Sequence, residues 1–290
     1  MKKNQKLFNE LLTKLDDESF NKLNKQIDKI LRQQKVNKDE LMDKIGRIMF
    51  DYDIIDNYIN LNVNDQKKVY TKLAEIITKQ FNEQIKNEKE EIKNILLSAS
   101  DEKYEINNYV YHLGVDFTLT HVDESTLNHI VNTEINGELW SSRNYNNKNA
   151  IVAVLKRDIK DFIGGRISVN EIKQILTRRY NVNATNSTRL IRTEICRCQA
   201  AANEIWCSNH HIQQQMFTAT LDNRTSTQCR EYDGQIFSFN DTNKPIPPLH
   251  PQCRSCLISV VDNWIPDERL NNQMKQRINY QTFQEWISTL

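Results

Sequence analysis

Residues 229–261 read CREYDGQIFSFNDTNKPIPPLHPQCRSCLISVV and hold three of the six cysteines and four of the five prolines of a 290-residue chain. The turn-forming pair Asp233-Gly234, with the Thr- and Phe-rich run QQQMFTATL upstream and QIFSF after it, predicts a β-hairpin. Regular structure is excluded from PIPPLHPQC, because prolines remove backbone donors and restrict the residues before them. CLISVV then reads as a short buried strand. The stretch predicts a small β element closed by an irregular, proline-rich crossing.

Upstream the pattern is helical. TRLIRTEICRCQAAANEIWCSN, residues 188–209, reads as a helix capped by Thr185 or Ser187, with an alanine run that lets another element approach closely. Before it, Ser168 and Glu171 form a capping box opening a helix that carries Ile172, Ile175 and Leu176. Val152, Leu155, Ile159 and Phe162 predict a helix ending at Gly164-Gly165. The segment 107–131 mixes apolar alternation with a capping signal before Leu127. Residues 1–100 repeat apolar positions at helical spacing: Leu7, Leu11 and Leu15, then Leu23, Ile27, Ile30 and Leu31, then Val69, Leu73, Ile76, Ile77 and Ile85. Such helices form a bundle or a partner-binding arm, the bundle being the simpler reading. The expected class is α+β, organised as a helical region 1–100, a mixed domain 101–265 and a helical tail 266–290.

Six glycines in the chain suit long helices with few tight turns. Apolar runs are too short to span a bilayer, and charges interrupt the N-terminal stretch before a signal-like core forms. A cytosolic setting follows, in which thiols are free or bind metal. The net charge of +1 hides an asymmetry. Residues 101–142 hold eight acids against one Lys, and residues 143–180 hold nine bases against three acids. Two mutually attracting faces explain this, as does a basic strip facing nucleic acid.

Cys229, His250, Cys253 and Cys256 form C-x20-H-x2-C-x2-C. Thiolates and imidazole are the donors of a tetrahedral zinc site, and the hairpin would carry Cys229 across to the other three. The alternative is a metal-free clasp, with His250 fixing the loop through hydrogen bonds and the cysteines packed as small apolar groups. A redox C-x-x-C lacks its βαβ surroundings. Arg192, Thr193 and Glu194 read as an ion-pair cluster tying the helix to the β element, or as an anchored catalytic carboxylate. Cys196 and Cys198, two apart on a helix, cannot share a face and read as core. His210-His211 suits a helix C-terminus. No standard enzyme motif occurs.

The order LWSSR, an amphipathic helix to GG, a capped helix, then RLIRTE with AAANE resembles the phage head morphogenesis family, the Mu F-like minor head proteins of tailed phages. The resemblance runs over about 110–261 through TLDNRTSTQCREYDGQIF and PPLHPQCRSCLISVV. Its motif residues include Asp222, Arg224, Asp233, Gly234, Pro251 and Arg254. Two positions depart from the family pattern: Ser226 stands at a usual first Cys, and Ser255 at the last, with the thiol moved to Cys256. The departures favour the metal-free clasp, with zinc an optional cofactor. The resemblance implies a non-enzymatic minor component of the virion head, assembled in the host cytoplasm and placed inside the head beside the portal, with a role in packaging or ejection. The implied partners are the portal protein, a scaffold or major capsid protein, and packaged DNA contacted without sequence specificity. A transferase using Arg192 and Glu194, a zinc hydrolase and a DNA-binding protein are the rival readings.

Overall fold

The computed structural model describes residues 2–112, 119–260 and 268–289, without the side chains of residues 2–14, 16, 17 and 20. The side chains of Leu7 and Leu11, the alternation within 113–118, Val261 and the start of the tail at Pro266 lie outside the described residues. The rest confirms an α+β chain. Long helices come first: α1 (Lys2–Asp51), a two-residue ribbon of β1 (Ile54–Ile55) and β2 (Tyr58–Ile59), α2 (Val63–His112), α3 (Glu124–Val131), α4 (Trp140–Ile163) and α5 (Val169–Asn209). The small β elements follow: β3 (Gln214–Thr218), α6 (Thr227–Tyr232), β4 (Ile236–Ser238), β5 (Cys256–Val260), β6 (Glu268–Asn271), β7 (Gln276–Asn279) and α7 (Phe283–Ile287).

Compact units do not follow consecutive stretches. One comprises Lys25–Ile92 and Glu134–Leu190; the other comprises Met1–Asn24, Lys93–Thr133 and Ile191–Leu290. In the first, one apolar face of each helix meets in a common core: Leu41, Ile45 and Ile48 of α1, Leu73, Ile77 and Phe81 of α2, Leu155, Ile159 and Phe162 of α4, and Ile172, Leu176 and Tyr180 of α5. These residues recur at spacings of three and four, so each helix presents a continuous stripe. A polar layer lies beyond the ends of these stripes. Lys148 Nζ donates to Glu88 Oε1 (3.0 Å), Asn183 Oδ1 (2.9 Å) and Ser187 Oγ (2.8 Å), while Gln34 and Gln84 donate to Glu88 at 2.7 and 2.6 Å. Burial lowers the Lys148 pKa, and the Glu88 carboxylate opposes that shift.

Local signals end the helices as expected. Gly164 caps α4, and Gly165 takes φ +69°. Asp123 caps α3, accepting from the Thr126 amide. The Ser168 amide donates to Glu171 Oε2 (2.9 Å), and the Glu171 amide returns to Ser168 Oγ (3.3 Å). One expectation fails within α5, which is a single helix where two were predicted. Thr185 and Ser187 do not cap; their hydroxyls donate to the carbonyls of Asn181 (2.9 Å) and Asn183 (3.1 Å). Bonded back to the preceding turn, and with no Gly or Pro nearby, they let the helix continue.

In the second unit β3 is the centre of a sheet ordered β4-β3-β5, antiparallel on both sides. The β3–β4 pair is not a tight hairpin. The connection between them contains α6, and Asp233-Gly234 ends that helix. Nor is the tail simply helical: β6 and β7 pair antiparallel before the short α7. Gly234 takes φ +80°, and a Cβ there would stand 2.9 Å from Thr282 Cγ2, so the close approach of the tail requires glycine.

Candidate functional site

Three elements of the second unit converge on one cluster. α6 carries Cys229 in its first turn because Ser226 caps the helix, its Oγ accepting from the Cys229 amide at 3.3 Å. The crossing after β4 is anchored by Lys244, whose ammonium donates to Glu204 Oε2 (2.7 Å), Phe239 O (3.0 Å) and Gln215 Oε1. It then passes a cis Pro247-Pro248 bond. A tight turn follows, in which the Cys253 amide donates to His250 O at 3.1 Å and Gln252 takes φ +60°. α5 holds this turn: the Gln252 amide donates to Thr193 Oγ1 at 2.9 Å.

The result places Cys229 Sγ 3.3 Å from His250 Nε2 and 3.7 Å from Cys253 Sγ. All three ligand atoms lie within 4.8 Å of one another. His250 Nδ1 sits 3.0 Å from Pro251 O. A carbonyl only accepts, so Nδ1 carries the proton and Nε2 faces the thiol with its lone pair. Cys253 is held well below the usual thiol range by hydrogen bonds from the Cys196 and Cys229 thiols. The same contact with Cys253, and burial, push Cys229 up.

Cys256 does not join the trio. It begins β5, where the register sets it opposite Thr218. Instead Cys196 arrives from α5. It packs against the cluster of Phe217, Ala219, Cys229, Cys253 and Leu257; its thiol hydrogen-bonds Cys253, and its Sγ lies 3.8 Å from Ser255 O. The reading of Cys196 as a core residue holds, since it packs against this cluster, but it did not foresee the contact with Cys253. The spacing argument separating it from Cys198 was sound, since Cys198 is fully buried and burial raises its pKa to about 12. The partner of Cys196 is 57 residues away in sequence, a juxtaposition no local pattern reveals. The two serines at the departures from the family pattern, Ser226 and Ser255, both hydrogen-bond Cys229.

Ion pairs frame the cluster. Arg254 grips Asp222 with Nη1–Oδ2 of 2.5 Å and Nη2–Oδ1 of 2.8 Å, and the Arg224 amide donates to Asp222 Oδ1 at 2.9 Å. The Arg224 guanidinium reaches Asp222 only at 3.5 Å and is largely exposed. Asp233 is fully buried and accepts from the Ala219 amide (2.7 Å), the Phe283 amide (2.5 Å) and both terminal nitrogens of Arg269 (2.7 and 3.0 Å). Sequence marked Asp233 as a turn and motif residue without its partner; Arg269 lies in the stretch read as a helical tail. Glu194 is buried against Arg197 (2.7 Å), which also donates to the carbonyls of Ile130 and Val131 at the end of α3. Arg192 turns elsewhere, donating to Asn24 Oδ1 at 3.1 Å. The Arg192–Glu194 pair expected from sequence does not form, because two residues apart on a helix point to different sides.

Residues 155–258 match the family model described as phage Mu protein F like protein. No curated protein and no solved structure gives a match. The matched span runs from within α4 into β5 and includes Cys196, Cys229, His250, Cys253 and the Asp222–Arg254 pair. Residues 155–258 therefore resemble phage Mu protein F-like proteins, over less than half of the chain.

Proposed function

We propose that this chain is a minor head protein of a tailed phage that acts beside the portal during head morphogenesis and takes part in packaging or ejection. The family match over 155–258 carries the reading. Its clasp of α5, α6 and the proline-rich turn supports a structural rather than catalytic role, with Glu194 committed to Arg197. No helix among the described residues is long and apolar enough to cross a membrane.

The partner-binding part of the reading draws on the α1–α2 connection, where Phe50 and Val63 are 93% and 80% exposed. Cutting the chain near residue 100 is no fair test, because Lys25–Ile92 share a core with Glu134–Leu190. The full chain should co-purify with its cognate portal protein on co-expression, and the double variant Phe50→Ser/Val63→Ser should recover less portal. Absence of portal from full-chain preparations would refute the partner; equal recovery by the variant would remove this surface from it.

Nucleic acid is a second partner, resting on a narrower base than the charge count suggests. Lys148, Arg166 and Arg179 are engaged by Glu88, Asp161 and Asp158, leaving Arg157, Lys160, Lys173 and Arg178 exposed. Duplex DNA contacted through these phosphate-facing cations would be retained without sequence preference and released as salt rises. Retention that is absent at low salt ends this reading.

A further inference from the structure

The sulfur–sulfur and sulfur–nitrogen spacings at the clasp have the size of a metal coordination tetrahedron. With Zn–S near 2.3 Å and Zn–N near 2.0 Å, ideal tetrahedral edges are about 3.8 Å for S···S and about 3.5 Å for S···N. The observed 3.7 Å between Cys229 and Cys253, and 3.3 Å between Cys229 and His250 Nε2, agree with both. His250 already has the required tautomer, its Nδ1–H directed to Pro251 O, which is the outer-shell contact that orients a ligating imidazole. Three such donors leave one vertex. Cys196, half-buried and packed against this group from α5, is a fourth soft donor on a separate element.

We infer that Cys196, Cys229, His250 and Cys253 together hold one structural zinc ion, Cys196 rather than Cys256 completing the tetrahedron. Cys196 Sγ lies 3.8 Å from Ser255 O and outside the trio of atoms within 4.8 Å, so completing the tetrahedron requires it to leave that long contact and move towards the trio. Four protein donors leave no open position, so the ion would cross-link α5, α6 and the proline-rich turn without performing chemistry. Binding releases the protons of the three thiols, and affinity should fall as pH is lowered. The ligand set is spread over 58 residues of chain, so the metal would stabilise the folded domain far more than any of its local pieces.

The test uses the full chain produced in zinc-supplemented medium and purified without chelator. Native mass spectrometry should find one zinc per chain, and cobalt(II) replacing it should give the intense visible bands of a tetrahedral thiolate site. Cys196→Ser should weaken zinc binding, measured by competition with a chromogenic chelator, by more than the roughly 10–100-fold that loss of an outer-shell partner costs. Cys256→Ser should leave it unchanged. A wild-type readout guards against misfolding of the variant. Alkylation mapped by mass spectrometry should show Cys196, Cys229 and Cys253 protected together with zinc and exposed together after chelation, with Cys256 unaffected. A metal-free wild-type chain, or a mass two hydrogens short from a Cys229–Cys253 disulfide, would overturn the site. Zinc retained in Cys196→Ser but lost in Cys256→Ser would overturn the ligand assignment, as would alkylation of Cys196 that ignores the metal.

Discussion

Arg254 meets Asp222 through two parallel hydrogen bonds of 2.5 and 2.8 Å, joining the turn before β5 to the strand-end segment after β3. Burial alone would raise the Asp222 pKa, but the Arg254 guanidinium, the Arg224 amide and the Thr225 hydroxyl together outweigh it and hold the carboxyl well below its usual range. Unfolded Asp titrates near pH 4. The stability this group contributes is therefore fully present above about pH 4 and is lost as pH falls through the lower, folded value. The thermal midpoint of the wild type should drop steeply on acidification below that point. Asp222→Asn should be less stable at neutral pH and show a shallower acid limb. Parallel acid limbs would mean that other carboxylates control the transition.

Asp233 should tolerate substitution far less well than a turn residue does. Its carboxylate satisfies two backbone amides and the buried guanidinium of Arg269, so Asp233→Ala leaves two amides without their acceptor and Arg269 without its counter-ion, with only the carbonyls of Ala219 and Gln281 to accept from it. Breaking one side of a buried ion pair costs about 3–5 kcal/mol. Urea unfolding of the variant should register a loss of that size, and limited proteolysis should cut first in the β6–β7–α7 segment that Arg269 and Phe283 anchor.

At the adjoining position, Gly234→Ala should destabilise by about 1–3 kcal/mol, since a left-handed φ of +80° and Thr282 Cγ2 both oppose a side chain. Pairing it with Thr282→Ser separates the two causes. Recovery of most of the loss in the double variant would assign it to the contact, and no recovery would assign it to the backbone.

The Lys148–Glu88 pair predicts opposite outcomes for two kinds of change. Glu88→Ala leaves the Lys148 ammonium buried without its counter-ion and should cost about 3–5 kcal/mol by denaturant titration. Replacing both by apolar residues of similar length, Glu88→Leu with Lys148→Met, should recover much of that loss. If the double variant is as unstable as the single one, the flanking Gln34, Gln84, Asn183 and Ser187 depend on the ionic centre.

Thr193 should control the mobility of the closing turn. Thr193→Val keeps the shape and removes the acceptor for the Gln252 amide, a change worth about 1 kcal/mol. Hydrogen exchange should speed up at residues 250–253 with little change in the core helices. Unaltered exchange there would mean that the turn is held by its own geometry.

Much of this molecule was legible along the chain because the responsible physics is local. Helical spacing placed the buried Leu23, Ile27 and Ile30 of α1, Leu73 and Ile77 of α2 and Leu155, Ile159 and Phe162 of α4, the Ser168–Glu171 box and Gly164-Gly165 marked helix ends, and prolines excluded regular structure from the crossing. The order of motifs resembled the Mu F-like family, whose model residues 155–258 match. What sequence could not supply is which distant groups meet. Thr185 and Ser187 carry good capping side chains, yet whether a hydroxyl starts a helix or bonds back within one depends on whether the preceding turn is already helical. Asp233 has the makings of a turn and becomes a buried acceptor only because Arg269 reaches it from the tail. Cys256 has the spacing of a ligand and Cys196 that of a core residue. The register of β5 against β3 sets Cys256 opposite Thr218, and the docking of α5 packs Cys196 against Cys229 and Cys253, since proximity in space is set by packing and not by separation along the chain.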